Sequence, residues 1–228
     1  MISAKIFLTT VAMTLCTLFT GCQKEQNTAA ATPADRPASE GTVVAVGDSL
    51  TAGYGVPQAD AYPARLEKKL HSSGYRWQVI NAGISGETSS GTLSRIDWIL
   101  KHQPDIVILE TGANDGLRGV DPELTRKNID QIVTRLQDNG VVVVLAGMQA
   151  LRNMGAPFTR EFAAIYPTVA KKHNLIAVPF FLDDVAGEPH LNLSDGIHPN
   201  PKGYEIITEK IYPYTLKAIE KKTTNKSG

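Results

Sequence analysis

The chain has 228 residues, 42% of them hydrophobic and 20% charged, a balance that suits one α/β domain with a core large enough to need no metal or disulfide staple. Lysine plus arginine (23) equals aspartate plus glutamate (23), so there is no basic excess of the kind that binds nucleic acid. No cluster has metal-ligand spacing, neither a Walker loop nor GxGxxG occurs, and no metal or organic cofactor is implied.

The N-terminus reads as a leader. Lys5 precedes an apolar run from Ile6 to Phe19, which has the n-region and h-region of a secretory signal and is too short for a permanent span. The run ends in LFTGC (18–22). A small residue directly before a cysteine resembles the lipobox of bacterial lipoproteins, in which Cys22 becomes the lipidated first residue. Phe19 stands where that pattern favours leucine, and Leu18 lies one place further back. The alternative is an ordinary cleaved leader with its cut in NTAAATPA (27–34). Cys16 would leave with the leader, so Cys22 would be the only cysteine of the mature chain and no intramolecular disulfide could form. Residues 25–40, EQNTAAATPADRPASE, read as a flexible tether. The expected division is a leader over 1–21, a tether over 22–40, a folded domain over 41–220 and a polar tail over 221–228. Export to the periplasm, with a membrane anchor at Cys22, is the expected localisation.

From Thr42 onward apolar runs alternate with helical patterns. TVVAVG (42–47), WQVINAG (77–83), DIVILETG (105–112), VVVVLAG (141–147) and LIAVPF (175–180) are short, β-branched and nearly continuous. Continuous apolarity implies burial on both faces, as in a parallel sheet. Between the runs lie helical stripes: Tyr62, Leu66 and Leu70; then Leu93, Ile96 and Leu100; then Ile129, Ile132, Val133 and Leu136. Tyr204, Ile207 and Ile211 open a last helix. Trp77 and Trp98 are expected in the core. Alternation of this kind predicts a doubly wound sheet covered by helices on both sides, with ligands beyond the carboxyl ends of the strands.

Those strand ends carry suitable chemistry. The first gives Gly47-Asp48-Ser49, the second Gly83 followed by ISGETSSG, and the third TGANDG with Asn114 and Asp115. Before the last helix stands DGIHP, with Asp195 and His198. A serine hydroxyl needs a base to take its proton, histidine is the usual one, and a carboxylate fixes the tautomer of that histidine. Asp195 and His198 lie in a turn broken by Gly196 and Pro199, which can fold the carboxylate back onto the ring. Gly83 can offer its N–H, and Asn114 its amide, to a developing oxyanion. Each feature alone has a plainer reading. Gly-Asp-Ser and NAGISG can be turns, Asn114 and Asp115 can cap a helix near Asp121, and His198 can be a surface residue. The combination points to hydrolysis.

On these residues the chain resembles the SGNH, or GDSL, family of ester hydrolases. GDSL (47–50), Gly83, Asn114 within GAND, and DGIH (195–198) fall in the order of that family's four blocks. The resemblance implies a flavodoxin-like fold, a three-layer α/β/α sandwich with a five-stranded parallel sheet. It also implies Ser49 as nucleophile, His198 as base and Asp195 as its orienter, with an oxyanion hole from the N–H groups of Ser49 and Gly83 and the amide of Asn114. NAGISGET, NDGLRG, FAAIYP, VPFF and DGIHPN are similar to the bacterial arylesterase, acyl-CoA thioesterase I and lysophospholipase L1 group. That similarity implies a small acyl ester, thioester or lysophospholipid as substrate. GMQALRNMG (147–155) departs from the group and is expected to shape the acyl pocket. The alternatives are a carbohydrate acetylesterase of the same family and an inactive lipid-anchored binding protein. A monomer is the default.

Overall fold

The structure is a computed structural model that describes residues 39–226. The leader, Cys22 and nearly all of the tether lie outside the described residues. Five strands, β1 (Gly41–Gly47), β2 (Trp77–Gly83), β3 (Ile106–Glu110), β4 (Val142–Ala146) and β5 (Ile176–Val178), form one parallel sheet in the order β2-β1-β3-β4-β5. β1 pairs with β2 on one side and β3 on the other. The strand order therefore reverses beside β1, and a crevice opens at its carboxyl end.

Among the described residues eight α-helices flank the sheet: α1 (Ser49–Ala52), α2 (Tyr62–Ser72), α3 (Ser89–Ser94), α4 (Ile96–Leu100), α5 (Ala113–Arg118), α6 (Pro122–Asp138), α7 (Ala156–His173) and α8 (Pro201–Lys226). α2 packs on α8, which reaches β3, β4 and β5, while α3, α4, α6 and α7 pack together. These are the two outer layers of the expected sandwich. Every residue of β3 and β4 is buried, in keeping with their unbroken apolar runs. Full burial of each such valine, leucine or isoleucine contributes about 1.5–3 kcal/mol. The stripes Tyr62-Leu66-Leu70 and Ile129-Ile132-Val133-Leu136 are buried as expected. Asp121 caps α6 by accepting the N–H of Glu123, with Pro122 in the first turn, where its missing N–H costs nothing.

Three expectations change. The Leu93-Ile96-Leu100 stripe is split into α3 and α4, because Arg95 between them turns its guanidinium back to Glu87 and to the carbonyl of Ala82. Trp98 is consequently 47% exposed rather than in the core, with its ring edge-on to His102 and the Arg95 guanidinium above it. Trp77 is buried. The helix α8 runs on to Lys226, past the expected start of a polar tail at 221. Ala218 and Ile219 stay buried there, and Lys222 reaches the carbonyl of Gly140 at 2.8 Å and Asp105 at 3.6 Å. Among the described residues no helix is long and apolar enough to cross a membrane.

Candidate active site

β1 ends at Gly47, and the chain turns at once into the one-turn helix α1, whose first residue is Ser49. Asp48 caps that turn, its Oδ1 accepting the N–H of Leu50 at 2.9 Å. The first N–H groups of a helix have no partner within it, so the N–H of Ser49 is a free donor by construction. The hydroxyl of Tyr204 on α8 donates to the carbonyl of Leu50 at 3.0 Å and holds the turn from the far side.

The loop before α8 brings the other two residues to Ser49. Leu193 donates its N–H to the carbonyl of His198, Asn192 and Pro199 form an antiparallel bridge, and Asn192 is anchored to the carbonyls of Val185 and Glu188. Within this hairpin Asp195 Oδ1 accepts the N–H groups of Ile197 and His198, both at 3.0 Å. Its Oδ2 lies 2.8 Å from His198 Nδ1, and His198 Nε2 lies 2.8 Å from Ser49 Oγ. The carboxylate accepts, so Nδ1 carries the hydrogen and Nε2 is left to accept the serine proton. The N–H of Ile197, then the His198 ring, then the N–H of His198 hold the Asp195 carboxyl down to about 2. The side chain of His198 is 15% exposed, and Tyr54 covers its ring at 4.6 Å between centroids.

Ser49 and His198 open onto a cavity of about 610 Å³, within the range of a small-molecule site. Its walls include Met148, Ala150, Phe180 and Leu182. At the mouth Tyr54, Leu117, Leu151 and Ile197 keep between 42% and 52% of their surface exposed. Met148 to Leu151 belong to the 147–155 segment, which does line the pocket as expected.

Asn114, at the start of α5, also lines the cavity, and its amide donates to Asp48 Oδ2 at 2.9 Å. One of its two amide hydrogens is thereby fixed and the other stays available. Gly83 is different. It is the last residue of β2, paired with Gly47, and its N–H is taken by Asn81 Oδ1 at 3.0 Å. A side chain there would meet the N–H of Ala52 at 2.2 Å. Gly83 therefore serves the close approach of α1 to β2 and does not reach the cavity. The glycine that does is Gly86, three residues on, together with Ser85. Gly86 has φ +80°, and its N–H has no acceptor among the described residues. Its loop is held by a nearly buried Glu87–Arg95 ion pair and by Asp115, which accepts the N–H of Ser89 at 2.8 Å and its hydroxyl at 2.5 Å. Asp115 is thus a buried brace rather than a cap for α6. No group of side chains with metal-ligating character is present among the described residues.

Behind the turn lies Glu110, the last residue of β3 and fully buried. Its Oε2 accepts the N–H of Asp48 at 3.2 Å and the hydroxyl of Thr51 at 2.9 Å. Burial, and next the neighbouring Asp48, push the Glu110 carboxyl well up, and burial also pushes up Asp48 against the pull of Leu50 and Asn114. Gly47 makes room for this contact, since a Cβ there would stand 2.3 Å from Glu110 Oε2.

A model described as the GDSL-like Lipase/Acylhydrolase family matches residues 45–206. Esterase TesA of Pseudomonas aeruginosa is 36% identical over 179 residues, 78% of this chain and 89% of that protein. The thioesterase 1/protease 1/lysophospholipase L1 of Escherichia coli K12 is 38% identical over 175 residues, 76% of this chain and 83% of that protein. Among solved structures, the psychrotrophic esterase EstA from Pseudoalteromonas sp., inhibited by monoethylphosphonate, is 31% identical, has a TM-score of 0.76, and covers 79% of this chain and 100% of its own.

Proposed function

Because the chain belongs to the GDSL-like lipase and acylhydrolase family and is a serine ester hydrolase, we propose that Ser49, His198 and Asp195 carry its reaction through an acyl-enzyme. The observation behind this reading is the unbroken line of hydrogen bonds from Asp195 Oδ2 through the imidazole to Ser49 Oγ, opening on an apolar cavity. Ser49 Oγ attacks the ester or thioester carbonyl as His198 Nε2 takes its proton. The imidazolium, steadied by Asp195, then gives that proton to the leaving group. Water repeats the sequence on the acyl-enzyme and releases the acid. The N–H groups of Ser49 and Gly86 and the free hydrogen of the Asn114 amide hold the oxyanion.

The apolar walls favour acyl chains over sugar rings, so the reading is hydrolysis of short to medium acyl esters, thioesters or lysophospholipids rather than of acetylated carbohydrate. LFTGC (18–22) supports export to the periplasm with acylation of Cys22. Mass spectrometry of the mature N-terminus decides this: a start beyond Cys22, or an unmodified Cys22, rejects it. The catalytic reading is tested with the full chain and Ser49→Ala on p-nitrophenyl esters from acetyl to palmitoyl. Ser49→Ala should lower turnover by about 10⁴-fold or more, and a fluorophosphonate should label only the unaltered chain. Labelling of Ser49→Ala at the same rate would reject Ser49 as nucleophile.

A further inference from the structure

The reaction described above uses neither of the two carboxyl groups buried side by side behind the nucleophile. Asp48 is 1% exposed and Glu110 0%. Their hydrogen-bond partners are unequal. Both oxygens of Asp48 accept from donors, Oδ1 from Leu50 and Oδ2 from Asn114. On Glu110, Oε2 takes two donors, while Oε1 is buried with no donor among the described residues. Glu110 Oε2 lies 3.2 Å from the backbone nitrogen of Asp48, which places the two buried carboxyl groups next to each other, and a charge on Asp48 opposes the ionisation of Glu110. Among the described residues no lysine or arginine is paired with either of them. The titratable groups that interact electrostatically with the pair are Tyr62 on α2, Tyr166 on α7, Tyr204 on α8 and the His198 ring; Asp115 on α5 acts on Tyr166 as well.

Two neighbouring carboxyl groups that are both buried do not both ionise. A buried carboxylate oxygen with no donor would bear its full desolvation cost. An acid O–H at the same place needs only one acceptor, which the neighbouring Asp48 carboxylate can supply. Asp48 in turn already has two donors that favour its ionised form.

We infer that Glu110 carries a proton on Oε1 and donates it to the Asp48 carboxylate, so that the pair holds one negative charge, on Asp48, and Glu110 is a positioning residue for Ser49 and Asn114. The single charge gathers the N–H of Leu50, which fixes the turn bearing Ser49, and one hydrogen of Asn114, which aims the other at the oxyanion. The inference deepens the roles proposed for Ser49 and Asn114, and its kinetic arm rests on them.

Infrared spectroscopy of the full chain at neutral pH tests the proton without using activity. A carbonyl stretch of a protonated acid should appear, shift on ¹³C labelling of glutamate carboxyls, ignore labelling of aspartate, and vanish in Glu110→Gln. Absence of such a band, or its shift with aspartate instead, overturns the inference even if Ser49 is the nucleophile. In kinetics, Glu110→Ala should lower kcat by about 10²-fold with KM little changed. Glu110→Gln, whose amide keeps both a donor toward Asp48 and an acceptor for its N–H, should recover most of that loss. Asp48→Asn, which removes the charge, should lose about 10²-fold without recovery. The reverse order, with asparagine tolerated at 48 and glutamine costly at 110, places the proton on Asp48 and overturns the assignment. A Glu110→Gln chain that fails to fold leaves the labelled spectra of the unaltered chain to decide.

Discussion

A proton stored on Glu110 makes folding itself pH-dependent, in the direction opposite to ordinary acid denaturation. In the unfolded chain a glutamate titrates near 4.3 and an aspartate near 3.9, so above about pH 5 both are ionised. The folded pair keeps one proton. A group whose folded pKa is raised contributes stability that is fully present below the unfolded value and lost as pH rises through the folded one. Over that window folding takes up one proton, and each pH unit removes about 1.4 kcal/mol of stability. Glu110→Gln has no such proton to take up. Urea unfolding of both chains at pH 5, 6, 7 and 8 isolates the pair, because titrating groups away from Asp48 and Glu110 cancel in the difference. The variant should gain on the unaltered chain by about 1.4 kcal/mol per pH unit from pH 5 upward, until the folded pair releases its proton and the difference levels off. A difference that stays flat over the whole range would mean that the folded state binds no extra proton, and the reasoning would fail.

Other outcomes follow from the same geometry. Asn114→Ala should lower kcat by about 10²–10³-fold with KM nearly constant; a loss confined to KM in steady-state assays would assign Asn114 to ground-state binding. Gly83→Ala places a Cβ 2.2 Å from the N–H of Ala52, whereas Gly86→Ala meets only Arg118 Nη2, at 3.6 Å, and the strain of φ +80°. Thermal melting should therefore drop further for the first, and equal melting temperatures would contradict the tight α1–β2 contact. Leu182→Trp narrows the cavity and should move the optimum of an ester series toward shorter acyl groups; an unchanged profile would mean that acyl chains lie elsewhere.

Most of the sheet was legible because its strands are buried on both faces and so read as unbroken apolar runs. β2 matches its expected bounds, whereas β5 is shorter than LIAVPF because Pro179 and Phe180 leave the sheet beside Gly147. Ser49, Asp195 and His198 were legible because each sits where a strand or helix breaks and each is of a type that only chemistry explains together. The glycine that lines the cavity was not. NAGISGE offers two glycines three apart, and which one faces the cavity depends on where β2 stops pairing, a matter of register with β1 rather than of local pattern. Glu110 reads in the sequence simply as the end of an apolar strand. A carboxyl closing a run of buried aliphatics did carry a signal, since such a group needs a partner. Naming that partner requires knowing that β1 lies between β2 and β3. Trp98 misled because a continuous helix would have buried it, and the break at Arg95 depends on Glu87 and the carbonyl of Ala82.

Parallel strands impose a polarity on the whole domain. Ser49 and the cavity lie at their carboxyl ends, while Glu40 enters at the opposite pole, some 20 Å away for a seven-residue strand. The far end of α8 returns to that same pole, where Lys222 meets Asp105 just ahead of β3. Both ends of the folded unit thus leave from one side and the chemistry faces the other. An affinity handle or a solid support joined at either end of the described fold is therefore attached on the side away from the cavity.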